Sequence, residues 1–195
     1  MAGRMKGAPL REVLRWHERN VGPARVRELG AALPREVATL VDLDAQALGV
    51  IPSTWYPAAL GHALLDGIFG GLDERARSAA MREGTHAALR ATARGVYRLV
   101  LAKLGTPSML ASSIPRVWWL VFDDGERSMV VSGDAIESRT RGWTGHGDAT
   151  LLCELMSANT ASILETMGKR DVQVERAACV ASGAPECVVH YRWAP

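Results

Sequence analysis

Apolar positions recur every three or four residues through the first two thirds of the chain and alternate through most of the last third, so the pattern predicts helices first and strands last. Residues 10–20 and 23–33 read as short amphipathic helices, and 34–43 as another. Ser53 is placed to cap a helix over 55–69 that Gly70-Gly71 ends. Helices over 73–83 and 85–104 follow, the second carrying Leu89, Ala93, Val96, Val100 and Leu104 as a buried stripe. Residues 108–122 read as a helix bent near Pro115, although 117–122 could equally open a strand. A hairpin over 127–131 and 135–143 turns at Ser132-Gly133-Asp134, a helix spans about 148–168, and a second hairpin turns at Gly183. The expected fold is α+β: a helical layer followed by hairpin, helix and hairpin, with an antiparallel sheet covered on one face. Residues 1–50 read as a helical extension or cap, and 51–195 as the main domain.

The same pattern brings the chain's three cysteines, Cys153, Cys179 and Cys187, to one place. From Cys153 to the end of its helix is roughly 15 residues, or about 22 Å. After a reversal at Gly168, an extended run covers about 26 Å between Asp171 and Cys179, which returns Cys179 to the level of Cys153. Gly183 lies midway between Cys179 and Cys187, so a hairpin turning there sets those two thiols opposite each other. Cys187 shares a face with Val189, Tyr191 and Trp193, the face expected to pack on the helix. Convergent thiols leave three readings open: a metal site, buried reduced thiols, or a Cys179–Cys187 disulfide.

Composition narrows the setting. Lys and Arg number 23 against 21 Asp and Glu, a balance that gives no reason to expect nucleic acid as a partner. No apolar run approaches the length of a membrane span, and the first residues lack the apolar core of an export signal. With an odd number of cysteines, a cytoplasmic, reducing location is expected. The chain has no Gly-x-Ser-x-Gly elbow and no phosphate-cradling glycine loop between strand and helix. Arg90, Arg94 and Arg98 follow one another at intervals of four and read as a solvated helix face.

The closing stretch, Val174-Glu-Arg-Ala-Ala-Cys179-Val-Ala-Ser-Gly183-Ala-Pro-Glu-Cys187-Val-Val-His-Tyr-Arg-Trp193, resembles the C-terminal signature of the 4-vinyl reductase domain. Trp55-Tyr-Pro57 and Ile114-Pro-Arg-Val-Trp118 also look like a set of paralogous proteins of myxobacteria. The resemblance implies the fold shared by haem nitric-oxide-binding and TRAPP vesicle-tethering proteins, and a role as a sensor or interaction module without enzymatic activity. It implies a structural zinc held by Cys153, Cys179 and Cys187, near the mouth of a ligand pocket. Relatives place the fourth ligand, a carboxylate, where this chain has Arg176. Glu175, one residue earlier, would serve only through a β-bulge, and Glu186, His146 or water are the substitutes. A small apolar or aromatic ligand, a partner protein and a homodimer through residues 85–104 or the N-terminal helices are expected. His62, His86, Trp118 and Trp143 are the candidate pocket residues. The alternative is a reductase-related enzyme acting on a tetrapyrrole or other small molecule, which rests on the domain's name and fold alone.

Overall fold

The computed structural model of the chain describes residues 3–92, 105–145 and 150–195. In chain order it contains β1 (Arg4–Lys6), α1 (Gly7–Val21), α2 (Pro23–Ala31), α3 (Arg35–Ala38), a 3-10 turn (Gln46–Gly49), β2 (Trp55–Pro57), α4 (Ala58–Phe69) and α5 (Glu74–Thr92). Next come α6 (Pro107–Val121), β3 (Glu126–Ser132), β4 (Ala135–Arg141), α7 (Leu151–Thr166), β5 (Arg170–Ala178), a 3-10 turn (Val180–Ser182) and β6 (Cys187–Ala194). The fold is α+β, with helices first and then hairpin, helix and hairpin.

Strands β3 to β6 form one antiparallel sheet in the order β3-β4-β6-β5. Alternation decides which face is covered: Cys187, Val189, Tyr191 and Trp193 are buried on one side of β6, and Arg192 is exposed on the other. Helix α7 covers the buried side, where Ala161 and Leu164 meet Ile136, Met129, Val172, Val189 and Tyr191. Arg127 is buried in the same layer, its guanidinium donating to Ser138 Oγ (2.9 Å), Thr160 Oγ1 (3.2 Å) and Tyr191 Oη (3.5 Å). Those hydroxyls let a cation sit in an otherwise apolar seam.

A second core lies among the helices. Leu10, Val13 and Leu14 of α1 pack with Leu60, Leu64, Leu65 and Phe69 of α4 and with Leu152 of α7. The described residues before position 51 therefore pack into the same core as the elements that follow them. This core extends to Trp118, Phe122 and Trp143, whose rings stack or meet edge to face at centroid separations of 4.1 to 6.1 Å.

Several local expectations are corrected. Residues 55–57 are a strand, not the start of a helix, because Met5 of β1 pairs with Tyr56. Helix α4 therefore begins after Pro57, and Ser53 does not cap it. The helix expected over 34–43 is the single turn α3. The two helices expected on either side of Gly84 are continuous through it as α5. Gly84 lies at a close approach, where a Cβ would be 3.2 Å from the Trp16 ring, tighter than ordinary van der Waals contact. Residues 117–121 end α6 and open no strand, so adjacent tryptophans differ in exposure, with Trp118 3% and Trp119 56% exposed. Most of the stripe expected from Leu89 to Leu104, with Arg94 and Arg98, lies outside the described residues.

Candidate metal centre

Three elements deliver the cysteines. Cys153 sits in the first turn of α7, Cys179 follows the end of β5, and Cys187 opens β6. The β5–β6 register passes through Ala178 opposite Val188, so Cys179 and Cys187 flank the connection as its next pair. Inside that connection a 3-10 turn ends at Gly183, whose φ of 86° is the left-handed conformation glycine adopts without strain. The Cys179 carbonyl accepts from the Ser182 and Ala184 amides, which folds the loop back on itself.

The sulfurs form a nearly equilateral triangle. Cys153 Sγ lies 3.8 Å from Cys187 Sγ and 4.0 Å from Cys179 Sγ, and Cys179 and Cys187 are 3.9 Å apart. A tetrahedral zinc with Zn–S bonds of about 2.3 Å separates its sulfurs by about 3.8 Å. The triangle thus has the edge of one face of such a tetrahedron. Cys153 and Cys187 are buried and Cys179 partly so. The Val180 amide donates to Cys187 Sγ at 3.3 Å, a contact that supports negative charge on that sulfur. Contact with Cys187, and then burial, pushes the Cys153 thiol far above its ordinary range.

The carboxylates around the triangle are differently disposed. Among the described residues the cluster of possible metal ligands contains the three cysteines and no His, Asp or Glu. Glu175 pairs with His190 across the strands, on the face away from α7. A bulge does occur in β5, but between Arg176 and Ala178, after Glu175, so it does not turn that carboxylate inward. Arg176 takes the inward position, opposite Val189, and its Nη1 lies 3.1 Å from Glu154 Oε1. Glu186 is bound to Arg141 and Arg139, which hold its carboxyl below the usual range. His146 lies outside the described residues.

Glu154 escapes a reading of spacing, because only the fold reveals its partners. It follows Cys153, is 12% exposed, and is gripped by Arg77 Nε at 2.8 Å and by Arg176. Glu154 and Arg176 help to line a cleft of about 150 Å³ between α5, α7 and β5, together with Glu74, Arg82, Ser157 and Val174 among others.

Of the four candidate pocket residues, three gather. His62 Nε2 is 2.7 Å from the Gly145 carbonyl, two residues beyond Trp143, and Trp143 meets Trp118 edge to face. Trp118 Nε1 donates to the Asp124 carbonyl. His86 is elsewhere, on α5, with Nε2 2.6 Å from Glu165 of α7. Its neighbour Thr85 is buried against Ser162, so this end of the segment expected to pair two chains faces α7 of its own.

No protein-family model matches the chain, and no curated protein matches it. Solved structures are similar over nearly its whole length. An H-NOX protein from S. oneidensis in the Fe(II)NO ligation state superposes with a TM-score of 0.66 at 12% identity, covering 98% of this chain and 100% of that one. The H-NOX domain from Shewanella oneidensis in the Fe(II)CO state gives 0.64 at 12% identity, covering 97% and 99%. A structure from work on haem distortion in the H-NOX family gives 0.60 at 12%, covering 98% and 96%. The chain has the H-NOX fold, as the resemblance to haem nitric-oxide-binding proteins implies. Neither a family model nor a curated sequence carries the narrower vinyl reductase likeness.

Proposed function

We propose that the chain is a non-enzymatic sensor or protein-interaction module of the vinyl-reductase-like kind, in which Cys153, Cys179 and Cys187 hold a structural zinc. The observation that carries the reading is the sulfur triangle, whose 3.8 to 4.0 Å edges suit a zinc thiolate face. The ion would join α7 to the β5–β6 hairpin and supply folding free energy outright. Its role is to clamp these elements together, and no step of chemistry passes through it.

The H-NOX relatives are structures of haem proteins, but the described residues do not fit a haem. Haem needs a flat slot and an axial side chain. The layer between α1, α4 and α7 is filled by Leu14, Leu60, Leu64, Leu65 and Leu152, each 2% exposed or less. The Nε2 atoms of His62, His86 and His190 already face Gly145, Glu165 and Glu137.

For the ligand, the reading places a small apolar molecule beside the Trp118, Trp143 and His62 group. Both indoles are buried there, so binding requires that group to open. For the partner, the outer side of α6 carries Val117, Trp119 and Leu120, all more than 40% exposed. Surfaces of this kind, with an aromatic among aliphatics, favour protein contact. The zinc half of the proposal is tested by titrating cobalt(II) into reduced, metal-stripped protein. A thiolate-to-cobalt absorption band should saturate at one ion per chain and vanish in Cys187→Ser. Absence of the band in the parent protein contradicts the site. The sensor half predicts a saturable change in tryptophan fluorescence with a bound ligand that is recovered unchanged, whereas consumption of a reduced nicotinamide or flavin with a tetrapyrrole would contradict it.

A further inference from the structure

We infer that the cleft between α5, α7 and β5 is a binding site for a small zwitterion of the α-amino-acid class, held by Arg176 at its carboxylate and by Glu74 at its ammonium. The cleft shares no residue with the cysteine triangle or with the Trp118 group, so it is a site apart from those of the proposed sensor.

Charge is out of balance at two places on its walls. Glu154 is a single carboxylate between two guanidiniums: Oε2 accepts from Arg77 Nε at 2.8 Å, and Oε1 lies 3.1 Å from Arg176 Nη1. One positive charge is left uncompensated there. Arg77 is committed on all three nitrogens, since its Nη1 donates to the Leu72 carbonyl and its Nη2 to Glu154. Arg176 is not. Among the described residues only its Nη1 has a partner, which leaves the edge formed by Nε and Nη2, the fork that grips a carboxylate through two parallel hydrogen bonds. Glu74 is the opposite case: it lines the same cleft from the first turn of α5, and no described residue donates to its carboxylate or pairs with it. Arg82, also at the cleft, is met by Glu165 at 3.0 Å and donates to the Val172 carbonyl. A ligand bringing one carboxylate and one ammonium therefore satisfies both uncompensated charges at once. An anion alone would face Glu74, and a cation alone Arg176.

Size sets the side chain of that ligand. The cleft is about 150 Å³, a volume at which a cavity holds benzene, so molecules of roughly six to eight non-hydrogen atoms fit, the range from alanine to valine. Met81, Ala158 and Val174 offer an apolar wall for a short aliphatic group. Because Glu74 belongs to α5 and Arg176 to β5, an occupant ties one element to the other.

Isothermal titration calorimetry on the full chain tests this with alanine and valine against propionate and ethylamine, which are alanine without its ammonium and without its carboxylate. Both amino acids should bind saturably at one per chain, and both analogues about tenfold or more weaker, the loss of one charge-assisted contact. Glu74→Gln and Arg176→Lys should each weaken alanine by a similar factor. Arg176→Lys keeps the charge beside Glu154 and removes only the fork, and Glu74→Gln alters an exposed position, so both variants should fold, which circular dichroism checks. No saturable heat with either amino acid, propionate or ethylamine binding as tightly as alanine, or an unchanged alanine affinity in either variant would overturn the inference. The cobalt(II) band and the alanine heat report on separate residues, so either proposal can fail alone.

Discussion

At the scale of single residues, the site turns on which side chain occupies the inward position of β5 beside the cysteines. Arg176 occupies it, and its charge is met by Glu154, which also binds Arg77. Glu154→Gln keeps the shape and removes the charge shared by two guanidiniums, so it should cost about 1–2 kcal/mol. The check is the urea midpoint at unchanged m-value, and an unmoved midpoint would show that the pair contributes nothing. The convergence of the cysteines was legible because it depends only on rise per residue and on a turn centred at Gly183. The carboxylates were not. Glu175 is adjacent in sequence to the position that matters, yet strand alternation sends it to the opposite face with His190, and no spacing rule locates the β5 bulge.

At the scale of elements, long periodic segments were legible and short ones were not. Helix α1 and the β3–β4 hairpin follow their patterns closely, because their own side chains decide which face is buried. Strands β1 and β2 have three residues each and exist only because they pair across more than forty positions of sequence. Nothing in Trp55-Tyr-Pro57 itself signals that pairing. Gly84 shows the converse. A glycine within a helical stretch reads as a break, but here it lets α5 approach the Trp16 ring of α1. Gly84→Val should therefore destabilise by about 1–3 kcal/mol despite valine's better helix propensity. Thermal denaturation checks this, and a melting temperature equal to or above the parent's would show that the crossing has room to spare.

At the scale of the whole molecule, the chain has the H-NOX fold with a helical core filled by leucines and a cluster of thiols at the junction of α7 and the last hairpin. The clamp proposed at that junction makes stability depend on metal. A chelator strong enough to strip the ion should lower the melting temperature of reduced protein by several degrees, and restored zinc should recover it. An unchanged melting temperature after verified stripping would mean that the junction holds by packing alone. The most direct measurement is native mass spectrometry, with elemental analysis, of protein purified under reducing conditions without added metal. The account predicts one zinc per chain in the parent and none in Cys153→Ser. A folded, metal-free parent protein would contradict it.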